Sequence, residues 1–193
     1  AQSAFEDIDS AENYLREAVT IFAGAVTEPI RSAQAHNELG CCYRTRYLIL
    51  LKSGGSATDQ DFALTQARIQ FREAIKIANA NQYQIERLDS MQDMAVLFER
   101  AGQYKEARDY LKQIADEIAD ANPDYLITAG VGLKPIPTEE RIDAYYKLMG
   151  QVELLWGAIL FESTRRYPGT EHTVDDMPTD ESVIDTALHY LFA

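Results

Sequence analysis

The chain has 193 residues, a formal charge of −13 and 46% apolar residues, values that fit one sizeable globular domain or two small ones. The excess of acids disfavours non-specific binding to nucleic acid or to an anionic membrane, and no apolar run reaches the length of about 18 residues that a membrane span needs. Two cysteines in 193 residues exclude a disulfide scaffold. These two, Cys41 and Cys42, are adjacent, a spacing that rarely permits a disulfide, and they indicate free thiols in a reducing compartment. We therefore predict a cytoplasmic protein.

The chain is predicted to be all-α. No proline lies between Ile30 and Asn122, and no segment alternates between apolar and polar residues as a half-buried strand does. Thr58 and Asp61 have the spacing of a capping box for the third helix. Apolar spacing and turn residues predict about seven helices, over about 4–25, 29–52, 60–79, 82–101, 104–121, 139–166 and from about 179 onward.

A short pattern recurs in three of these helices. A small residue is followed four positions later by a bulky one, and three positions after that by an apolar one. The small residue allows neighbouring helices to approach closely, and the bulky one fills the gap between them. The three instances are Ala11, Leu15 and Ala18; Ala67, Phe71 and Ala74; and Ala107, Leu111 and Ile114. In the second helix Leu39, Gly40 and Tyr43 precede the second instance.

This pattern resembles the tetratricopeptide repeat family, whose unit is a helix–turn–helix of about 34 residues. The match is best over 85–118, extends to roughly 5–118 and includes an inserted stretch between Tyr43 and Ala67. The resemblance implies antiparallel helical hairpins stacked as a short α-solenoid, with repeats over 1–122 and a less regular helical pair over 123–193 packed on them. A non-repeating helical bundle with similar apolar spacing is the alternative.

The resemblance also implies a concave groove lined by the first helix of each repeat. The residues at matching positions mix hydrogen-bond donors and acceptors, which suits an extended peptide backbone. The predicted partner-binding residues are Asn37, Arg44, Gln92, Glu99 and Arg100. A solvated helix face is the simpler interpretation of the same residues.

The sixth predicted helix is apolar around most of its circumference, so we expect it to be buried on both sides. It is either the central strut of the C-terminal part or a second recognition surface that presents Tyr145, Tyr146 and Trp156. After Arg166 the chain has acidic residues but no Lys or Arg. These acids suit the start of the seventh helix, and the alternative is an acidic patch for a basic partner.

No residues in the sequence predict catalysis, a metal or a cofactor. The segment from Gly130 to Pro135 lacks the preceding strand and following helix of a phosphate loop, and the acidic loop around His172 offers no rigid frame for a metal. Cys41 and Cys42 lie within a helix and are better explained as small buried residues than as nucleophiles.

We therefore predict a non-catalytic module that binds a protein or peptide. Because the chain lacks an initiator Met and ends inside a helical pattern, we expect it to be a fragment of a larger protein. The alternative function is a sensor for a small ligand or peptide that gates an attached enzymatic or DNA-binding domain. A concave pocket with converging polar groups would favour the sensor, and an open groove would favour the interaction module. The sequence does not specify the oligomeric state.

Overall fold

A computed structural model describes residues 2–24 and 28–121, together with eight helical positions between 147 and 159. All regular structure in these described residues is helical. The chain divides into two compact units, Ala1–Ala101 and Gly102–Ala193, each of which is treated separately below. The seventh predicted helix and most of the sixth lie outside the described residues.

The described residues contain five long helices, and their bounds lie close to the predicted ones except at the start of the third. They are α1 Gln2–Gly24, α2 Pro29–Ser53, α3 Ala57–Ala80, α4 Gln84–Arg100 and α5 Tyr104–Ala121. α3 begins three residues earlier than predicted because Ser56, rather than Thr58, is its N-cap. The Ser56 hydroxyl accepts a hydrogen bond from the Asp59 amide at 3.1 Å and donates one to the Asp59 carboxylate at 2.7 Å.

In the first unit, α1 to α4 pack in chain order as antiparallel neighbours. α2 is the central helix, because it contacts α1, α3 and α4. The turn after α2 is tight: Gly54 has a φ of 70°, a conformation that glycine adopts without steric cost, and its amide bonds back to Leu50. The inserted stretch of the sequence is therefore mostly helix, and Gly54–Ser56 alone separates α2 from α3.

The closest approach between α2 and α3 occurs at Gly40. A β-carbon at this position would lie 2.6 Å from two ring carbons of Phe71, so only glycine fits without movement. Phe71 is fully buried and flanked on α3 by the buried small residues Ala67 and Ala74. The recurring small–bulky–small pattern thus marks the side of α3 that packs inward.

In the second unit, one face of α5 is buried at Ala107, Leu111 and Ile114, as the pattern predicts. The described positions of the sixth predicted helix are helical and include the buried residues Leu148, Val152 and Ile159. Leu154 on that helix is 62% exposed, so the expectation that the helix is buried on both sides is wrong at this position. The described helices include no candidate for a transmembrane segment.

We predict that Gly40→Ala lowers the free energy of unfolding by about 1–2 kcal/mol. The gain in helix propensity on replacing glycine by alanine, at most about 1 kcal/mol, is outweighed by overpacking against the Phe71 ring, which costs about 1–3 kcal/mol. Denaturant unfolding should show a lower midpoint for Gly40→Ala and no loss for Thr45→Ala, an exposed position on the same helix. Adding Phe71→Leu to Gly40→Ala should give less than the sum of the two losses. A Gly40→Ala protein as stable as the parent would contradict the close approach.

Candidate functional site

A polar cluster lies between α2 and α4. Asn37, Cys41 and Arg44 share one face of α2 because their spacing follows the helical period, and all three contact Asp93 of α4. Arg44 Nη1 donates to Asp93 Oδ1 at 2.6 Å and to the Asp93 carbonyl at 3.2 Å. Asn37 Nδ2 donates to Asp93 Oδ2 at 2.9 Å, and the Cys41 thiol donates to the same oxygen at 3.4 Å. We call these four residues the Asp93 cluster.

The ion pair in the Asp93 cluster is largely shielded from water. The side chains of Arg44 and Asp93 retain 18% and 15% of their exposure, and the Arg44 guanidinium lies 5.7 Å from the centroid of the buried Phe71 ring. Burial and the nearby Asp93 charge raise the pKa of Cys41 to about 12. The Cys41 thiol therefore stays protonated at neutral pH and acts as a hydrogen-bond donor. In this form it is a poor nucleophile, because the thiolate is the nucleophilic form.

Two of the predicted groove residues, Asn37 and Arg44, are thus brought together, but they bind Asp93 of their own chain. Asn37 is also buried, with an exposed fraction of 7%. Asp93 was not among the predicted partner-binding residues. The sequence shows that Asp93 is an acid on the predicted fourth helix. A single sequence does not show that this acid faces Arg44, which lies 49 positions earlier.

The other predicted groove residues lie on α4. Gln92 is half-buried, whereas Glu99 retains only 7% of its exposure. The guanidinium of Arg100 is more than half exposed, and its Nε lies 3.1 Å from Glu99 Oε2. Tyr145, Tyr146 and Trp156, the predicted second surface, lie outside the described residues.

A second polar network joins α1 to α2 and centres on Glu12. The Tyr43 hydroxyl and Arg16 Nε each donate to Glu12 Oε1 at 2.8 Å, and Arg46 Nη2 donates to Glu12 Oε2 at 2.8 Å. Arg46 also pairs with Asp9 at 2.5 Å, and Arg16 donates to the Tyr43 hydroxyl. Burial, followed by the hydrogen bond to Glu12, raises the pKa of Tyr43 to about 12. This network, which sequence analysis did not predict, fixes the Glu12 carboxylate with three donors.

A cleft of about 610 Å³ opens beside this network. α1 and α3 both pack on α2, and among the described helices they do not contact each other, which leaves the space between them open. The cleft is lined by residues of all three helices: Asp9, Glu12, Asn13, Arg46, Leu50, Asp59 and Phe62. Its volume is within the range of about 300–1,000 Å³ that small-molecule sites occupy. Within the described ranges, no three His, Cys, Asp or Glu side chains are grouped closely enough to hold a metal ion.

We predict that Asp93→Asn lowers the free energy of unfolding by about 2–3 kcal/mol. The substitution keeps the shape of the side chain but removes the charge that Arg44 meets inside the fold, and breaking a partly buried ion pair leaves the remaining charge uncompensated. Glu73→Gln is the matched control, because the Glu73–Lys76 pair is exposed and such pairs contribute under about 0.5 kcal/mol. Similar small losses for both variants in denaturant unfolding would show that the Asp93 cluster does not hold α2 to α4.

Comparison with known proteins gave no match to a family model, to a curated protein or to a solved structure. What the structure shows, over the residues that it describes, is an all-helical arrangement of stacked helices. The likeness to tetratricopeptide repeats depends on the spacing of residues such as Gly40, Tyr43 and Phe71 within this chain.

Proposed function

We propose that this chain is a non-catalytic module that binds a protein or peptide through the face formed by α2 and α4, with helices stacked in the manner of tetratricopeptide repeats. The observation that carries the proposal is the direct contact between α2 and α4, two helices that are not consecutive. In a stack of helical hairpins the first helices of successive hairpins lie side by side and form a continuous concave surface. The contact between α2 and α4 is consistent with that arrangement.

The Asp93 cluster supports the proposal by giving the face a fixed geometry. Arg44 and Asn37 both bond to the Asp93 carboxylate, so the two helices are held together by charged hydrogen bonds rather than by apolar contact alone. A preorganised surface loses less conformational entropy on binding than a mobile one. In this proposal Asn37 and Arg44 position the face, and the contacts to a partner come from residues beside them.

Groups that could make such contacts are present on both helices. Gln34 is exposed on the α2 face that carries Asn37 and Cys41, and α4 offers the half-buried Gln92 and the exposed Arg100. Amide side chains can donate to and accept from a peptide backbone at once, and the guanidinium can bind a carboxylate. These three side chains form the recognition set of the proposal, in place of the five residues predicted from the sequence.

The second candidate function is a sensor for a small ligand or peptide. The cleft between α1 and α3 favours it, because carboxylate, amide and guanidinium groups converge there beside the exposed ring of Phe62. A ligand in this cleft would contact three helices and could bias how they pack on one another. Interaction module and sensor therefore differ in the surface used, which makes them separable by substitution.

The test is selection of peptides from a random displayed library on the immobilised protein, followed by calorimetric titration of the enriched peptides. We expect Gln92→Ala combined with Arg100→Ala to weaken binding at least tenfold, about 1.4 kcal/mol. The control is Arg72→Ala, which removes an exposed arginine from α3. Circular dichroism checks that each variant is folded.

Failure to enrich any peptide above the empty support would contradict the proposed function. So would equal weakening by the control variant, or unchanged affinity of the double variant. Peptides that lose affinity only when the cleft is altered would support the second candidate instead.

A further inference from the structure

The cleft between α1 and α3 combines features that together specify a ligand class. One wall carries Asp9 and Asn13 of α1, the other carries Asp59 and Phe62 of α3, and Arg46 of α2 lies at the base. Concavity, an aromatic ring and a small number of polar groups are the usual features of a binding site. The nature of those groups decides what would bind.

The charge of the cleft is negative after internal pairing. Three carboxylates and one guanidinium line it, and Arg46 is already engaged by Asp9 and Glu12. Glu12 accepts bonds from three donors and is mostly buried, whereas the Asp9 side chain is 59% exposed and Asp59 is exposed on its wall. Asp9 and Asp59 are therefore the carboxylates that a cationic ligand can reach.

The Phe62 ring adds an aromatic surface on which a planar cationic group can stack. The ring is 52% exposed, although its edge-to-face contact with Tyr43, at 6.3 Å between centroids, holds it in place. Asp59 lies one helical turn before Phe62, so a carboxylate and a ring stand side by side on the same face of α3. A guanidinium suits this pair, because it can hydrogen-bond to the carboxylate and stack on the ring at once.

One remaining polar side chain distinguishes a peptide from a simple polyamine. The Asn13 amide is exposed on the opposite wall and can both donate and accept. A peptide backbone supplies both a carbonyl acceptor and an amide donor for the Asn13 amide, whereas a polyamine supplies donors only.

We propose that the cleft binds an extended peptide segment carrying arginine, with the guanidinium at Asp59 and Phe62 and the backbone along Asn13. The inference deepens the second candidate function by naming its ligand class, and it concerns a different face of α2 from the Asp93 cluster. Arg44 and Arg46 are two positions apart, which places them about 200° apart around the helix. The net charge of the chain, −13, would also accelerate association with such a basic segment.

The experiment uses fluorescence anisotropy of the whole chain with a labelled probe, acetyl-Leu-Arg-Leu-Arg-Leu-amide. Its control is the same peptide with citrulline in place of both arginines, which keeps the shape and removes the charge. We expect the arginine peptide to bind at least tenfold tighter, with an affinity that falls as salt screens the charges. Equal affinity of the two peptides, or no binding of either up to millimolar concentration, overturns the proposal.

Substitutions of residues that line the cleft test whether the peptide binds there. Asp59→Asn and Phe62→Leu should each lower the affinity for the arginine peptide at least fivefold. Leucine is chosen at position 62 because it retains an apolar side chain, where Phe62→Ala would open a gap. The matched controls are Asp61→Asn and Ile69→Ala, exposed positions on the same helix that do not line the cleft, and each should change affinity less than twofold. Weakening by the controls to the same extent contradicts the assigned site.

Two further measurements separate the competing outcomes. Spermidine that displaces the peptide at a lower concentration than the unlabelled peptide itself would show a small-cation site and overturn the peptide assignment. The Gln92→Ala/Arg100→Ala variant should bind the arginine peptide with unchanged affinity, because those residues lie outside the cleft. Failure at the cleft and failure at the α2–α4 face are therefore observed independently.

Discussion

The close approach of α2 to α3 at Gly40 is the constraint on which the rest of the first unit depends. Phe71 occupies the space that a β-carbon at Gly40 would need, so the two helix backbones are brought together over this ring. Leu39, Tyr43, Ala67 and Ala74 are buried around it. Packing at this density allows little adjustment, and the remaining helices must fit the surface that the α2–α3 pair presents.

α2 then serves both polar sites with opposite faces. One face carries Asn37, Cys41 and Arg44 to Asp93 of α4, and the other carries Arg46 towards α1 and the cleft. Tyr43 connects the apolar core with the Glu12 network, because its ring is fully buried while its hydroxyl bonds to Glu12. Displacing α2 would therefore disturb the core, the Asp93 cluster and the cleft together, which is how a ligand at one face could affect the other.

Local features of the fold were predictable from the sequence, and long-range pairings were not. Apolar spacing and turn residues located all five described helices, and the small–bulky pattern identified Phe71, Ala67 and Ala74 as inward-facing. The start of α3 was misplaced because Ser56 and Thr58 are both good caps, and only the backbone shows which one bonds to an amide. The sequence named Asn37 and Arg44 as groove residues, but it could not show that both bind Asp93 of the same chain. The Glu12 network and the cleft depend on which charged side chains of α1 face α2, information that one sequence lacks.

The central claim, that α2 is held at the middle of the first unit, is tested most directly by native-state hydrogen exchange measured amide by amide with NMR. Amides around Gly40 in α2 should exchange only through global unfolding, with the same free energy and denaturant dependence as the whole unit. α1 should open at lower free energy, because among the described helices it contacts only α2. Exchange of the α2 amides through a low-energy local opening, while α3 and α4 stay protected, would contradict the account.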